Sequence, residues 1–213
     1  NKPARIPEEH SETAFMTNRA IEFIEESKDK PWFLHLSYIK PHWPYMAPAP
    51  YHNMYSANEF YPVHRNEAER NNDHPVYKAF MENSISKTFS KDEVRNTVLS
   101  GYMGLIKQID DNLGRLFKFL EEAGHMDDTM IIFTSDHGDY QGDHWLGEKE
   151  LFHEQSVRVP MIIYDPSNYA NKTRGTKEQR FIEAIDLLPT FLDAVESPAS
   201  KHRLEGNSLM PLL

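Results

Sequence analysis

Two short stretches of the chain hold residue types that can act together on an anion. In Thr134-Ser135-Asp136-His137-Gly138-Asp139 a carboxylate and an imidazole follow a compact apolar run, beside a glycine that lets the backbone turn sharply. Neighbouring side chains diverge on a strand, but at a turn Asp136 and His137 can converge on one ion. An Asp oxygen with a His nitrogen suits a divalent cation such as manganese, zinc or, with more oxygen donors, calcium. The same dipeptide can instead cap a turn and leave His137 at the surface. In Lys40-Pro41-His42-Trp43-Pro44-Tyr45 a single imidazole sits between prolines that stiffen the chain. A His42 held in this way can protonate a leaving oxygen or bind an anionic ester oxygen, although an incidental histidine in a packing loop fits the pattern too. Lys149, in Leu146-Gly147-Glu148-Lys149-Glu150, is near enough to Asp136 in sequence to return to the same place. Its ammonium there would neutralise a nonbridging oxygen as a compact charge; its other reading is a solvated surface lysine. His144 and His153 lie close by and read as structural neighbours.

The elements that must position these residues alternate between helix and strand. Ser11 to Ser27 reads as a helix capped by Ser11 or Thr13, with Phe15, Ala20, Ile21, Phe23 and Ile24 mainly on one face. Trp32 to Tyr38 is a bulky apolar run after Pro31, expected to be a strand covered on both sides, and His35 within it reads as structural. The Pro-rich stretch from Lys40 to Tyr51 follows as a rigid loop at the end of that strand. Asp92 to Gly124 is a long amphipathic helix, with Tyr102, Met103, Ile106, Ile109, Leu113, Leu116, Phe117 and Leu120 on its stripe. Met130 to Ser135 and Val157 to Tyr164 read as strands, and Asp186 to Val195 as a last helix whose first turn holds Pro189, which also allows a slightly later start. Alternation of this kind predicts an α/β fold with a largely parallel sheet flanked by helices. In open sheets of that class ligands collect beyond the carboxyl ends of the strands, where both candidate stretches fall. Residues 55–90 mix aromatics, His, Asn and charges without a period, and are expected to form an irregular, partly helical insertion.

Composition narrows the partners. With 39% hydrophobic and 26% charged residues, the 213-residue chain has material for one globular domain, residues 1–213. Its net charge of -10 comes from scattered acidic residues, so the clustered basic footprint of a nucleic-acid binder is missing. No apolar run approaches the roughly 20 residues that cross a bilayer. Zero cysteines exclude disulfides, thiolate metal sites and a cysteine nucleophile within the chain. The chain is expected to be soluble; the compartment stays open with the cytoplasm favoured, and a homo-oligomer is allowed. Asn1 at the start and the unfinished character of Gly206 to Leu213 lead to the expectation that the chain is part of a longer protein.

Taken together, Ile131-Ile132-Phe133-Thr134-Ser135-Asp136-His137-Gly138-Asp139, Gly142-Asp143-His144, Lys149 and Val157-Arg158-Val159-Pro160 resemble the signature region of the sulfatases, within the alkaline phosphatase superfamily. The resemblance extends to the Ser11 to Ser27 helix, Lys40 to Pro44, Ala47 to His52, Gln108 to Leu116 and Ile185 to Thr190. The Pro-rich Ala47 to His52 stretch and the Asp136-His137 pair look most like the phosphonate monoester hydrolase branch, with arylsulfatases close behind. What the resemblance implies is an alkaline phosphatase-like fold, incomplete on its amino-terminal side. It further implies metal-dependent hydrolysis of sulfate, phosphonate or phosphodiester bonds in a small anionic ester. Asp136 and His137 would be metal ligands, and His42 and Lys149 would hold the anionic oxygens or assist the leaving group. The metal would be manganese or calcium, with His137 in place of the Asn of many sulfatases making calcium the less secure of the two.

The family's nucleophile is a formylglycine made from the Cys or Ser of a Cys/Ser-x-Pro-x-Arg motif, and neither that motif nor the family's amino-terminal acidic pair occurs here. The resemblance therefore implies a parent hydrolase whose missing segment carries the nucleophile, with these 213 residues inactive by themselves. Two other readings share the same residues. One is a noncatalytic binding or assembly module that keeps the fold; the other is a metal-dependent phosphatase or phosphodiesterase of the same superfamily with a Ser or Thr nucleophile.

Overall fold

The structure is a computed structural model that describes residues 2–27, 30–71, 74–200 and 202–213. The chain forms two compact units, Asn1–Ala123 with His137–Arg158 and Gly124–Asp136 with Val159–Leu213.

In the first unit, helix α1 (Glu12–Ser27) packs on the long helix that follows the insertion. Ser11 does cap α1: its Oγ accepts the Ala14 N–H at 3.2 Å. The buried face of α1 is Thr13, Ala14, Thr17, Ala20 and Ile24, small enough to let the two helices approach. Residues 32–38, expected to be a strand, pair with no described strand; their burial alternates along the chain, so only one side is covered, and His35 is exposed. The loop after them contains cis peptide bonds at Lys40–Pro41, Trp43–Pro44 and Ala49–Pro50.

Residues 55–90 include α2 (Pro75–Glu82) and α3 (Ser84–Phe89). Pro75 opens α2, where the missing amide hydrogen costs nothing, and the Asn83 side chain caps α3 by accepting from the Ser86 N–H. Helix α4 (Asp92–Glu122) begins with Asp92 and Glu93, whose charges suit a helix amino terminus. It buries Leu99, Leu105, Ile109, Leu116 and Leu120, each contributing about 1.5–3 kcal/mol by leaving water.

Between the leucines, α4 also buries Gln108 and Asn112, both 1% exposed. Burial of these amides is offset by hydrogen bonds: Gln108 Nε2 donates to Ser11 Oγ at 2.7 Å, and Asn112 Nδ2 donates to Glu8 Oε1 at 3.0 Å. The polar seam therefore ties α4 to the start of α1.

In the second unit, β1 (Ile131–Thr134) pairs antiparallel with β2 (Met161–Tyr164), in a register that sets Ile131 opposite Tyr164 and Thr134 opposite Met161. This two-stranded ribbon is the only sheet among the described residues, so the largely parallel sheet expected from the sequence is not present there. Apolar periodicity gives buried strands but not their direction; here the second strand returns along the first. Between the strands, in the first unit, α5 (Glu154–Val157) is one helical turn, so Val157, expected to begin a strand, ends a helix instead. Helix α6 (Leu187–Ala194) begins one residue later than Asp186, whose carboxylate accepts the Glu183 and Asn207 N–H groups.

Candidate active site

His42 and Lys149 belong to the same unit, and the fold brings them together. Lys149 Nζ lies 3.4 Å from His42 Nε2, across 107 residues of chain. On the other side of the ring, His42 Nδ1 lies 3.0 Å from the Trp43 carbonyl oxygen. A carbonyl only accepts and an ammonium only donates, so the tautomer that satisfies both contacts carries its hydrogen on Nδ1 and its lone pair on Nε2. The turn that presents the ring is held from below by Lys40, whose Nζ donates to the carbonyls of His42 and Pro44 at 3.1 and 3.3 Å. Burial lowers the Lys40 ammonium's pKa, partly countered by Glu12.

Asp136 ends β1's unit and His137 begins the returning segment of the other, joined directly by the chain. His137 Nδ1 donates to the Gly138 carbonyl at 2.8 Å, a bond that fixes the lone pair on Nε2, the tautomer a metal ligand needs. Asp136 is exposed, and Ser135 Oγ lies 3.4 Å from its Oδ1. These two donors fit a divalent cation in type and tautomer. No group of three or more potential metal ligands is assembled among the described residues.

The backbone around His137 is tied to Lys149 through one buried residue. The Gly138 N–H donates to the Ser156 carbonyl at 2.7 Å, while Ser156 Oγ donates to the Lys149 carbonyl. Gly138 is required by this approach, because a Cβ at that position would run into the Gln155 carbonyl oxygen. Next along the chain, Asp139 accepts the Gln141 N–H at 3.0 Å and the phenol hydrogen of Tyr45 at 2.7 Å. Burial raises the Asp139 pKa in spite of these bonds, and burial together with the Asp139 charge raises that of Tyr45.

The segment leading to Lys149 is strained and braced by the insertion. Gln141, His144, Trp145 and Glu148 all have positive φ, between 47° and 62°, a conformation that side chains with a Cβ adopt only when the surroundings impose it. For Gln141 they include Arg95 of α4, whose Nε donates to the Gln141 carbonyl at 3.0 Å, and for His144 and Trp145 they come from residues 64–86. The His64 N–H donates to Asp143 Oδ1 at 2.9 Å, and the His144 N–H to the His64 carbonyl at 2.8 Å. Tyr77 reaches the His144 carbonyl at 3.0 Å, the Trp145 indole N–H reaches the Asn66 carbonyl at 2.8 Å, and Ser86 Oγ accepts the Gly147 N–H at 3.1 Å. The guanidinium groups of Arg65 and Arg70 lie 4.3 and 4.6 Å from the Trp145 ring centroid. His144 pairs with Glu69 at 2.8 Å and stacks on His153 at 4.2 Å between centroids, and the Tyr140 phenol bonds His153 Nδ1 at 2.8 Å. These contacts tie His144 and His153 to each other, to Glu69 and to Tyr140.

Three residues of this arrangement escaped the sequence reading: Tyr45, Asp139 and Ser156. Tyr45 and Asp139 are the last residues of the two stretches already singled out, which is the signal that could have paired them. Nothing in the sequence marks Ser156.

The family model for sulfatases matches residues 2–197. The chain belongs to the sulfatase family. Among curated sulfatase relatives, a multifunctional alkaline phosphatase superfamily protein, PehA of Trinickia caryophylli, is 39% identical over all of the chain and 43% of its own length. An arylsulfatase of Clostridium perfringens is 31% identical, again over the whole chain and 44% of its own length. The crystal structure of phosphonate monoester hydrolase from Agrobacterium radiobacter superposes with a TM-score of 0.90 at 32% identity, covering 99% of this chain and 44% of that one. The chain thus spans less than half the length of these three relatives, and its structural neighbours share the alkaline phosphatase-like fold.

Proposed function

We propose that the protein containing this chain is a metal-dependent hydrolase of sulfate or phosphonate esters, and that the chain supplies part of its active site. The observation that carries the reading is the meeting of His42 and Lys149 at 3.4 Å, with the ammonium donating into the Nε2 lone pair of the imidazole. An ester of a sulfuric or phosphonic acid presents a tetrahedral anion and an oxygen leaving group, and these two side chains match its two needs. Lys149 neutralises a nonbridging oxygen, and its weight grows as charge accumulates in the transition state. His42 accepts from that ammonium at Nε2 and so orients it. Once Nε2 takes up a proton from solvent and releases the ammonium, the same nitrogen can pass that proton to the departing oxygen, which leaves as an alcohol or phenol.

Asp136 and His137 are the residues that would hold the divalent cation, manganese or calcium. When bound, that ion supplies Lewis-acid polarisation of the substrate oxygens. The chain's own part is to present a carboxylate oxygen and an imidazole Nε2 from one turn. The formylglycine nucleophile belongs to a segment outside these residues, so the chain alone is expected to turn nothing over.

The names of the relatives support both ester classes, and substrate profiling of the full-length protein separates them. Turnover of p-nitrophenyl sulfate or a phenylphosphonate ester that stops on chelation and returns with manganese or calcium supports the reading. No turnover of either ester by the metal-loaded, formylglycine-bearing protein overturns it and leaves the noncatalytic module in its place. Turnover confined to phosphodiesters moves the assignment to a phosphodiesterase of the same superfamily.

A further inference from the structure

Tyr45 stands three residues after His42, and Asp139 two residues after His137. The phenol of the first donates to the carboxylate of the second at 2.7 Å, across 94 residues of chain, in a part-buried setting. This bond is the side-chain link between the turn that carries His42 and the turn that carries His137. Resting on the functional reading above, we propose that Tyr45 is a positioning residue, whose bond to Asp139 fixes the register of the His42 turn against the turn that presents His137.

Both ends of the link are anchored independently of it. The Tyr45 ring meets Phe89 and Tyr102 edge-on, with centroids 6.2 and 5.9 Å away, so the phenol cannot swing without unpacking two aromatics. Its carbonyl oxygen rests against Gly101 of α4, where a Cβ would collide with it. At the other end, the second carboxylate oxygen of Asp139 accepts the Gln141 N–H at 3.0 Å, which sets the carboxylate's orientation. Ser156 already joins the His137 turn to Lys149 through Gly138. With the Tyr45–Asp139 bond, His42, His137 and Lys149 are held by one continuous set of contacts. His42 makes only a 3.4 Å contact with Lys149, so a small slip of its turn would separate the pair, and misplacement of about 1 Å can cost on the order of a hundredfold in rate. The phenol touches neither the reacting ester nor the metal in this scheme; it acts through His42.

The test uses the full-length, metal-loaded protein with Tyr45→Phe, Asp139→Ala and the double variant. Tyr45→Phe keeps the ring and its packing and deletes the donor; Asp139→Ala deletes the acceptor. Either change is expected to lower kcat for p-nitrophenyl sulfate or a phenylphosphonate ester at least tenfold, with KM changed less than threefold. The double variant should be no slower than the slower single one, because the same bond is broken from either end. A second readout does not depend on turnover: in nitrogen-15 spectra His42 should show the Nδ1–H tautomer in the parent and a tautomer mixture in Tyr45→Phe. A Tyr45→Phe protein with kcat within twofold of the parent and an unchanged His42 signal overturns the proposal, as does full additivity of the two changes. If the parent hydrolyses neither ester, the functional reading fails, and the His42 signal alone decides whether the link positions the ring.

Discussion

Lys149 Nζ and His42 Nε2 are 3.4 Å apart although 107 residues separate them in the chain. Because the ammonium donates into the imidazole lone pair, the two side chains form a coupled unit, and removing either leaves the other without the partner that orients it. In the full-length protein, His42→Asn and Lys149→Met are each expected to lower kcat/KM about a hundredfold or more, the usual scale for losing a positioned acid–base or charge-stabilising group. The double variant should fall well short of the product of the two single losses. Steady-state kinetics on one ester with all three variants measures this; a multiplicative double loss would mean that the two groups act independently.

His42 and Lys149 could be nominated from sequence because their chemistry is local: a histidine fenced by prolines, and a lysine a few residues beyond an Asp-His turn. What brings them together is not local. The contact depends on residues 64–86 and Arg95 bracing a backbone with positive φ at Gln141, His144, Trp145 and Glu148, and neither the bracing nor the strain has a periodic signature. The helices α1 and α4 were legible as helices but their faces only in part: Phe15, Ile106 and Phe117, expected on the apolar stripes, are exposed, while Thr13, Thr17 and Leu105 are buried. Their polar seam was not legible, because Gln108 and Asn112 look like solvent-facing residues until Ser11 and Glu8 are placed against them. Strand direction was lost for a related reason: a compact apolar run marks a strand, not which way its neighbour runs.

Metal occupancy separates the roles of the nominated residues. In the full-length protein, Asp136→Ala and His137→Ala should each lower metal content after dialysis, since a ligand oxygen or nitrogen is lost, whereas Lys149→Met should keep its metal while losing turnover. Elemental analysis beside an activity assay reads both quantities on one sample. The isolated 213-residue chain should show no turnover with any added divalent ion. Turnover by the isolated chain would place a nucleophile within it.

Acid should loosen the segment that leads to Lys149. Burial, and then the neighbouring His144, hold the His153 pKa below the ordinary imidazole value. The unfolded chain therefore binds this proton more readily than the folded one. Stability from a neutral His153 is complete above about pH 6.5, the unfolded value, and declines as pH falls from there toward the folded value. For Glu69 burial acts upward, but the Asn66 N–H and the His144 ring outweigh it and hold the carboxyl low, so its contribution is lost at still lower pH. The groups facing His153 are Tyr77, Tyr140, His144 and Glu69. Protection factors of the amides of residues 141–149, which correct exchange for its base-catalysed intrinsic rate, should fall between pH 7.5 and 5.5, and His153→Gln should flatten that dependence. An unchanged slope in His153→Gln would assign the effect to another group.

Gly138 and Ser156 test whether the backbone around His137 governs Lys149. Gly138→Ala places a Cβ against the Gln155 carbonyl, and relieving that clash must push the 153–157 turn away; overpacking of this kind costs about 1–3 kcal/mol. Because the Gly138 N–H is bonded to the Ser156 carbonyl, the same displacement pulls Ser156 Oγ from the Lys149 carbonyl. Ser156→Ala removes only that last bond and leaves the Gly138 contact intact, at about 0.5–1.5 kcal/mol. Urea unfolding of the full-length protein should therefore rank Gly138→Ala below Ser156→Ala in stability. Both should raise KM for the anionic ester, since each lets the lysine drift, but Gly138→Ala should also reduce metal content by moving His137. If Gly138→Ala keeps parental metal content while losing stability, the turn is a packing element and the His137 position is set elsewhere.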